Sequence, residues 1–225
     1  MTVDGRRIDK GGHILPSDAL LTVAEGPDFV SRGGRKLQGA LEALGVDVAG
    51  AVVADVGAST GGFTDCVLRR GARKVYAIDV GAGQLAPELR DDARVVVKDR
   101  TNARELTAAE FDEPLDLVVV DASFIGIEKL TTALARILPP GRILLALVKP
   151  QFQVGRDVAR KARGVVRDEA VREAAIDGAR AALREAGFDI VAERDSDVHG
   201  PEGNVERFVL ARRRQAVTVS SGGAS

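Results

Sequence analysis

The sequence predicts an α/β protein with a mostly parallel, Rossmann-like sheet of seven strands and helices on both faces. Three observations indicate this class. From Ala51 onward, short apolar runs alternate with segments whose apolar residues recur at helical spacing. The first apolar run ends in a glycine-rich turn that leads directly into a helix. Asp79 then ends the next predicted strand about one strand–helix–strand step later, a pattern typical of nucleotide-binding sheets.

Each element follows from a local signal, an apolar run for a strand or helical spacing for a helix. The predicted strands cover residues 51–55, 74–79, 94–98, 115–121, 142–148, 190–196 and 206–211. The predicted helices cover residues 63–70, 84–90, 127–138 and 168–186. A further helix is expected from its N-cap, Ser31, to a stop at Gly45. In its first turn, Gly33 and Gly34 indicate either a close backbone approach or simple conformational tolerance.

The chain is expected to divide into three parts. Residues 1–26 are interpreted as a small β appendage and linker, because Asp4-Gly5 and Gly11-Gly12 are tight-turn signals and residues 20–23 suit a closing strand. So short a segment needs a larger body to pack against. Residues 27–214 form the main domain, and the serine- and glycine-rich residues 215–225 are expected to be a disordered tail.

Composition restricts the setting in which the protein works. The net charge of −1 and pI near 6.2 give no overall attraction to polyanions, so nucleic-acid binding would depend on local basic patches. Cys66 is the only cysteine, which excludes an intrachain disulfide and suits a cytoplasmic location. With two histidines and one cysteine, a structural zinc site is not expected. The N-terminus lacks the apolar core of a signal peptide, and residues 143–148 are too few to span a membrane.

The glycine-rich turn, ADVGASTGGFT at residues 54–64, is compatible with three kinds of ligand site. A phosphate-binding P-loop is excluded, because no lysine follows Gly62. A dinucleotide-binding site is less well supported, because the spacing is Gly57-x-x-x-Gly61-Gly62 rather than Gly-x-Gly-x-x-Gly. An adenosyl ligand without a pyrophosphate, S-adenosylmethionine (SAM), needs only glycines for close approach and acids around it.

Three acids stand at the ends of three successive predicted strands, where ligands bind in open α/β sheets. Asp55 suits the cationic amino-acid end of SAM, and Asp79 suits both ribose hydroxyls, because a carboxylate offers several acceptor sites. Asp99 is placed to meet the adenine edge. A single acid at a strand end is equally well explained as a solvated turn residue or a helix cap, but acids at three successive strand ends favour a ligand site.

The fourth and fifth strands end in Asp121 and Lys149. Charged residues at the tips of such apolar strands require partners. The two side chains either form a structural ion pair or form an acid–base site, in which desolvation and a nearby cation keep the lysine neutral.

Several separated motifs resemble those of a known family. They are SRGGRKL from Ser31, DVGASTGGFTDC from Asp55, DVGAGQL from Asp79, DASFI from Asp121, KPQF from Lys149, GVVRD from Gly164 and GPEGNVE from Gly200. In this order they resemble the TlyA, or hemolysin A, family of SAM-dependent ribosomal RNA 2′-O-methyltransferases, which carry an FtsJ-type catalytic domain. The resemblance covers about residues 1–210 and implies a SAM-dependent methyltransferase fold, ribosomal RNA as the partner and no metal.

The resemblance also implies particular site residues. By motif match, the catalytic tetrad of the family corresponds to Lys36, Asp121, Lys149 and Glu206. SAM contacts are implied for Asp55, Gly57, Ala58, Ser59, Thr60, Gly61, Gly62, Phe63, Asp79, Asp99 and Asp121. In such a site Lys149 would take the proton of a ribose hydroxyl, and Asp121 and Glu206 would orient the two lysines.

The chain departs from the family pattern at two places. Residues 1–23 resemble only the final β part of the family's S4 RNA-binding domain, so the helical half that docks RNA is expected to be absent. Gln153 stands where the family usually has a glutamate. The first departure keeps open a SAM-dependent methyltransferase of a small-molecule hydroxyl. A non-enzymatic, membrane-active hemolysin is a third alternative, but no amphipathic or spanning segment supports it.

RNA contact is expected from two local basic clusters. One comprises Arg32, Arg35 and Lys36, beside the predicted site. The other lies in the segment after Lys149 and comprises Arg156, Arg160, Lys161, Arg163 and Arg167. The arginines at 212–214 are interpreted as a solvated surface, and the scarcity of aromatic residues argues against extensive base stacking.

Overall fold

The computed structural model describes residues 29–153, 165–200 and 202–215, together with the backbone of three short strands nearer the N-terminus. Those strands are β1 (Thr2–Val3), β2 (Arg6–Arg7) and β3 (Leu21–Thr22). β1 pairs antiparallel with both of the others. The basic segment at 154–164 and the tail at 216–225, with the predictions made for them, lie outside the described residues.

A seven-stranded sheet forms the centre of the main domain. Its strands are β4 (Val52–Val56), β5 (Lys74–Ile78), β6 (Val95–Lys98), β7 (Leu117–Val120), β8 (Ile143–Val148), β9 (Phe188–Asp195) and β10 (Arg207–Arg213). They lie in the order β6-β5-β4-β7-β8-β10-β9. The pairs from β6 to β8 are parallel, whereas β10 runs antiparallel to both of its neighbours.

Six α-helices accompany the sheet in the described part of the chain. They are α1 (Arg32–Ala43), α2 (Gly62–Arg69), α3 (Pro87–Arg90), α4 (Thr131–Ile137), α5 (Pro150–Gln153) and α6 (Glu169–Glu185). Short 3₁₀ turns occupy Ala103–Glu105, Ala108–Glu110 and Ile127–Lys129. Ser31 and Asp168 cap α1 and α6, because each side chain accepts a hydrogen bond from a backbone N–H of the first turn.

Both faces of the sheet are covered. Alternate residues of a strand point to opposite faces, so Val53 packs with Leu37 of α1 and Val67 of α2, while Val52 packs on the other side with Leu134 of α4 and Ile176 of α6. The predicted sheet with helices on both faces is therefore confirmed. All seven predicted strands are present, with ends that differ by at most two residues.

Three details of the helices differ from the predictions. The helix predicted at 84–90 begins only at Pro87. The helix predicted at 127–138 divides into a 3₁₀ turn and α4. α5 is not among the predicted helices; proline at position 150 suits the first turn of a helix, where its missing N–H needs no partner. None of the described helices combines the length and apolar character that a membrane crossing needs.

The strand order indicates at which edge of the sheet a ligand would bind. From β4 the chain builds outward to β5 and β6, and then returns to lay β7 on the other side of β4. This reversal opens a crevice at the carboxyl ends of β4 and β7, which is where open α/β sheets bind ligands.

Candidate active site

A cavity of about 960 Å³ lies at this edge of the sheet. It takes residues from the turns that follow β4, β7 and β8, and from the first turn of α1. Among the predicted site residues, its walls include Lys36, Gly57, Ala58, Ser59, Thr60, Gly62, Phe63, Asp121, Lys149 and Glu206. Gly61, Asp55, Asp79 and Asp99 lie nearby but do not line it.

The glycine-rich turn brings bare backbone to the cavity. Gly57 has a φ of 88°, and a Cβ on this residue would lie 2.8 Å from the backbone oxygen of Asp121. A side chain at Gly57 would therefore clash with the turn after β7. Gly61, with a φ of 97°, is the N-cap of α2. The turn thus presents close-packed backbone and a helix N-terminus to a ligand, as the sequence predicted.

A second close approach places α1. A Cβ on Gly62 would lie 2.9 Å from the backbone nitrogen of Gly34, and a Cβ on Gly34 would collide with the ring of Phe29. Of the two explanations left open for the glycines of α1, close packing applies to Gly34. Because α1 lies this near to α2, its buried Lys36 reaches the cavity.

Asp79 holds two turns in place. Its Oδ2 accepts a hydrogen bond from the backbone N–H of Ser59 at 2.8 Å, and its Oδ1 accepts one from Gly81 at 2.7 Å. The carboxylate therefore fixes the glycine-rich turn, in which Ser59 has a φ of 48°. Each oxygen keeps a further lone pair for a ligand hydroxyl.

Asp99 is placed at the end of β6, as predicted, and has partners within the protein. Its Oδ2 accepts hydrogen bonds from the backbone N–H of Gly83 at 3.0 Å and from Arg90 at 3.1 Å. The Gly83 bond, more than the nearby Arg90 charge, lowers the pKa of the Asp99 carboxyl. Asp99 therefore stays ionised and ties the turn after β5 to α3.

Asp55 is a fully buried carboxyl at the centre of the sheet. Its Oδ2 accepts a hydrogen bond from the Thr64 hydroxyl at 2.7 Å, whereas its Oδ1 has no hydrogen-bond partner among the described residues. Burial raises the pKa of Asp55 to about 7, and the negative charges of Asp121 and Asp79 add to the effect. A buried acceptor without a donor is costly, so this site is suited to a cationic ligand group.

Lys149 and Asp121 form a close ion pair on the cavity wall. Their Nζ and Oδ1 atoms are 2.5 Å apart, and the two side chains are 10% and 20% exposed. Lys149 also donates a hydrogen bond of 2.8 Å to the hydroxyl of Ser123. The lysine amine is thus held at a fixed position beside the cavity.

Lys36 and Glu206 form a second, more deeply buried pair. Lys36 Nζ lies 2.5 Å from Glu206 Oε2, and the side chains are 8% and 1% exposed. The antiparallel direction of β10 explains this contact, because it pairs Arg207 with Val148 and so brings Glu206 beside Lys149. Two amines and two carboxylates thereby meet on one cavity wall.

The residues present fit SAM. The cavity volume lies in the range of small-molecule sites and its floor is glycine-rich backbone. Asp55, two residues before Gly57, has an Oδ1 without a hydrogen-bond partner among the described residues. Asp79 lies next to the glycine-rich turn with lone pairs to spare. The contacts of Asp55, Asp79 and Asp99 with SAM remain predictions.

Some residues that line the cavity were not among the predicted site residues. Ser123 and Phe124 line it, although their only sequence signal was their position after Asp121 in the DASFI motif. Phe124 is 91% exposed, has a φ of 66°, and its ring centroid lies 5.5 Å from that of Phe152. An aromatic residue held exposed in a left-handed conformation is strained, and such strain gathers at functional sites.

The departure at Gln153 has a local explanation. This residue lines the cavity, and with its amide oriented to satisfy both atoms it donates to Glu128 Oε2 at 2.6 Å and accepts from the Ile127 N–H at 2.8 Å. A glutamate at 153 would face Glu128 with a second carboxylate. The amide therefore suits the acid opposite it.

Comparisons with known proteins identify the family of the chain. Residues 29–214 match the family described as FtsJ-like methyltransferase. The chain is 42% identical over 223 residues to the 16S/23S rRNA (cytidine-2′-O)-methyltransferase TlyA of Mycobacterium tuberculosis, covering 98% of this chain and 83% of that protein. It is 37% identical over 205 residues to Hemolysin A of Brachyspira hyodysenteriae, covering 91% and 85%.

Solved structures show the same relationship. The structure described as "Putative hemolysin from Streptococcus thermophilus" superposes with a TM-score of 0.81 at 37% identity, covering 86% of this chain and 70% of that one. A SAM-dependent methyltransferase from Mesorhizobium loti shares the fold alone, with a TM-score of 0.56 at 18% identity over 78% and 96% of the two chains. The chain therefore belongs to the FtsJ-like methyltransferase family, in the group of TlyA and hemolysin A.

Proposed function

We propose that this protein is a SAM-dependent methyltransferase that acts on a ribose 2′-hydroxyl of ribosomal RNA. The observation that carries the proposal is the meeting of two lysine–carboxylate pairs beside a glycine-rich backbone floor. The likeness to an rRNA (cytidine-2′-O)-methyltransferase supports the same acceptor. We further propose that residues 27–214 form the catalytic unit and that it works in the cytoplasm, where ribosomes are.

The cofactor is assigned to the glycine-rich side of the cavity. Residues 57–63 would hold it, with Asp55 at its ammonium, Asp79 at its ribose and Asp99 toward its adenine. When bound, SAM supplies a methyl group on a sulfonium sulfur, an electrophile that needs no metal. What the protein adds is position, because an in-line displacement depends on alignment of the acceptor oxygen.

The lysines prepare that oxygen. A ribose hydroxyl is a poor nucleophile until its proton has an acceptor, and Lys149 lies on the cavity wall to take it. Lys36, held by Glu206, adds a positive charge that stabilises negative charge on the oxygen. Asp121 keeps the Lys149 amine in place.

The mouth of the cavity suits a nucleotide in an RNA strand. Phe124 offers an exposed ring on which a base can stack, and Arg32 and Lys129 lie on the cavity wall for phosphates. Arg35, three residues after Arg32, is exposed, and so is Arg167, just before α6. The near-neutral net charge means that RNA affinity depends on these local charges, so it should weaken steeply with salt.

The direct experiment maps 2′-O-methyl groups by mass spectrometry on ribosomal RNA incubated with SAM and protein. We expect a new ribose methyl with the wild type and none with Lys149→Ala, whose SAM affinity should be nearly unchanged. Lys149→Arg is the matched variant, because its side chain is similarly long and basic but stays protonated at neutral pH and cannot accept the proton. The exposed Arg184→Ala on α6 controls for nonspecific loss.

Two outcomes would contradict the proposal. Turnover by Lys149→Ala at the wild-type rate would remove Lys149 as the proton acceptor. Methyl transfer to a free small-molecule hydroxyl, with no transfer to RNA and no RNA binding at low salt, would favour the small-molecule alternative.

A further inference from the structure

We propose that Ser123 is a positioning residue that aims the lone pair of Lys149 at the acceptor hydroxyl. This inference rests on the proposed function and adds a fifth member to the group of Lys36, Asp121, Lys149 and Glu206. Ser123 lines the same cavity and touches the lysine directly.

The Lys149 amine has two partners in the turn after β7. Its Nζ lies 2.5 Å from Oδ1 of Asp121, and it donates a hydrogen bond of 2.8 Å to Oγ of Ser123. Asp121 and Ser123 are separated by one residue, so one short segment after β7 supplies both contacts. Lys149 itself is 8% exposed, so solvent contributes little to its orientation.

The two partners match the needs of a neutral amine. A neutral lysine carries two N–H donors and one lone pair, arranged tetrahedrally around the nitrogen. The hydroxyl of Ser123 accepts one N–H, and the carboxylate of Asp121 contacts the amine as an ion pair, so the direction away from these two groups is left to the lone pair. All three residues line the cavity, so this direction is the one available to a hydroxyl within it.

The proton balance follows from this arrangement. The 2′-hydroxyl gives its proton to the Lys149 lone pair, the 2′-oxygen forms its bond to the methyl carbon, and the bond from that carbon to sulfur breaks. Lys149 becomes an ammonium that keeps its hydrogen bond to Ser123 and its ion pair with Asp121, and it loses the gained proton to water after product leaves. Ser123 neither gains nor loses a proton.

Lys36 provides a contrast within the same site. Its amine pairs with the carboxylate of Glu206, which is 1% exposed, whereas Lys149 shares its donors between a 20% exposed carboxylate and an uncharged hydroxyl. A second carboxylate in place of Ser123 would favour the protonated amine, while a hydroxyl orients it without adding charge. The two lysines therefore differ in their partners: Lys36 has a buried carboxylate, and Lys149 has a hydroxyl beside its carboxylate.

The test compares Ser123→Ala with Ser123→Thr, which restores a hydroxyl on the same Cβ. Removing the hydroxyl should lower the single-turnover rate at saturating RNA and SAM by about tenfold, because the amine is free to rotate. Binding constants for SAM and RNA should stay within about twofold, and Ser123→Thr should recover most of the rate. The exposed Thr132→Ala on α4 is the control for loss of a hydroxyl elsewhere.

A second measurement does not depend on activity. In protein labelled with ¹⁵N-lysine, the Lys149 Nζ–H signal, identified by its loss in Lys149→Arg, should exchange with water faster in Ser123→Ala than in the wild type or Ser123→Thr. If the wild type methylates no RNA ribose, the proposed function fails, and the exchange rates still decide whether Ser123 holds Lys149.

Three results would overturn the role of Ser123. They are a wild-type rate in Ser123→Ala, a Ser123→Thr variant as slow as Ser123→Ala, and a loss of RNA or SAM affinity that accounts for the whole loss of rate.

Discussion

Substitution of Asp55 by asparagine should make the folded protein more stable, and more so as the pH rises. Burial raises the pKa of this carboxyl from 3.8 to about 7. Between these two values the folded protein retains a proton that the unfolded chain has released, so the stability of the wild type falls as the pH increases. The neutral asparagine side chain has no such dependence and can still accept the hydrogen bond from Thr64.

The size of the effect follows from the two pKa values. One pKa unit corresponds to about 1.4 kcal/mol, so a shift of about three units destabilises the fully ionised wild type by about 4 kcal/mol. At about pH 5 the folded carboxyl is still protonated, and the penalty is only about 2 kcal/mol. The difference in unfolding free energy between Asp55→Asn and the wild type should therefore grow by about 2 to 3 kcal/mol from about pH 5 to about pH 8.

Urea unfolding without SAM, followed by circular dichroism at both pH values, measures this difference. Asp47→Asn is the matched control, because Asp47 is exposed and its substitution should have the same effect at both pH values. An equal difference at the two pH values for Asp55→Asn would refute the reasoning that Asp55 is a desolvated carboxyl with an unused acceptor. The same variant should bind SAM more weakly at about pH 8, since it lacks the charge proposed to face the ligand ammonium.

Three further predictions concern the cavity walls. Asp79→Ala should weaken calorimetric SAM binding by at least about tenfold, because it removes both the proposed ribose acceptor and the anchor of the glycine-rich turn. Gln153→Glu should lower the free energy of unfolding by about 1 kcal/mol by placing a second carboxylate opposite Glu128. Glu206→Gln should lower it by about 3 kcal/mol in urea titrations, because it leaves the buried Lys36 ammonium without its counter-charge.

Each of these has its own control. For Asp79→Ala, unchanged SAM affinity would refute the ribose role. For Gln153→Glu, the double variant with Glu128→Gln should recover the wild-type free energy of unfolding. If it does not, repulsion between the two carboxylates is not the cause of the loss. For the third, Lys36→Met combined with Glu206→Gln should be more stable than Glu206→Gln alone; equal loss in both variants would contradict a penalty from unpaired charge.

Local sequence patterns were sufficient to predict the strands and most of the helices of this fold. The strand ends before Asp79 and Asp121 follow from apolar runs that stop at a charged residue, a signal contained in a few neighbouring positions, whereas β4 continues through Asp55 to Val56. α5 was missed because proline at position 150 both ends a strand and suits the start of a helix, and the sequence does not distinguish the two.

The contacts between site residues could not be predicted from local sequence patterns. Lys36 and Glu206 are 170 residues apart, and the family motifs indicated that they belong together without showing how. Their contact depends on β10 entering the sheet antiparallel beside β8, so that its amino end lies at the same edge as the carboxyl ends of the other strands. Strand order and direction result from the packing of the whole chain.

The sequence by itself determined the alternating strands and helices, the glycine-rich turn, and the residue types of a methyl-transfer site, since periodicity, turn chemistry and motifs are short-range properties of the chain. Only the tertiary structure decided that Asp55 is buried with an oxygen unpaired among the described residues, and that Asp79 anchors the turn at Ser59. It also decided that Ser123 holds the Lys149 amine. Burial and the direction of a hydrogen bond depend on which distant segments pack together, and no local pattern in the chain specifies that.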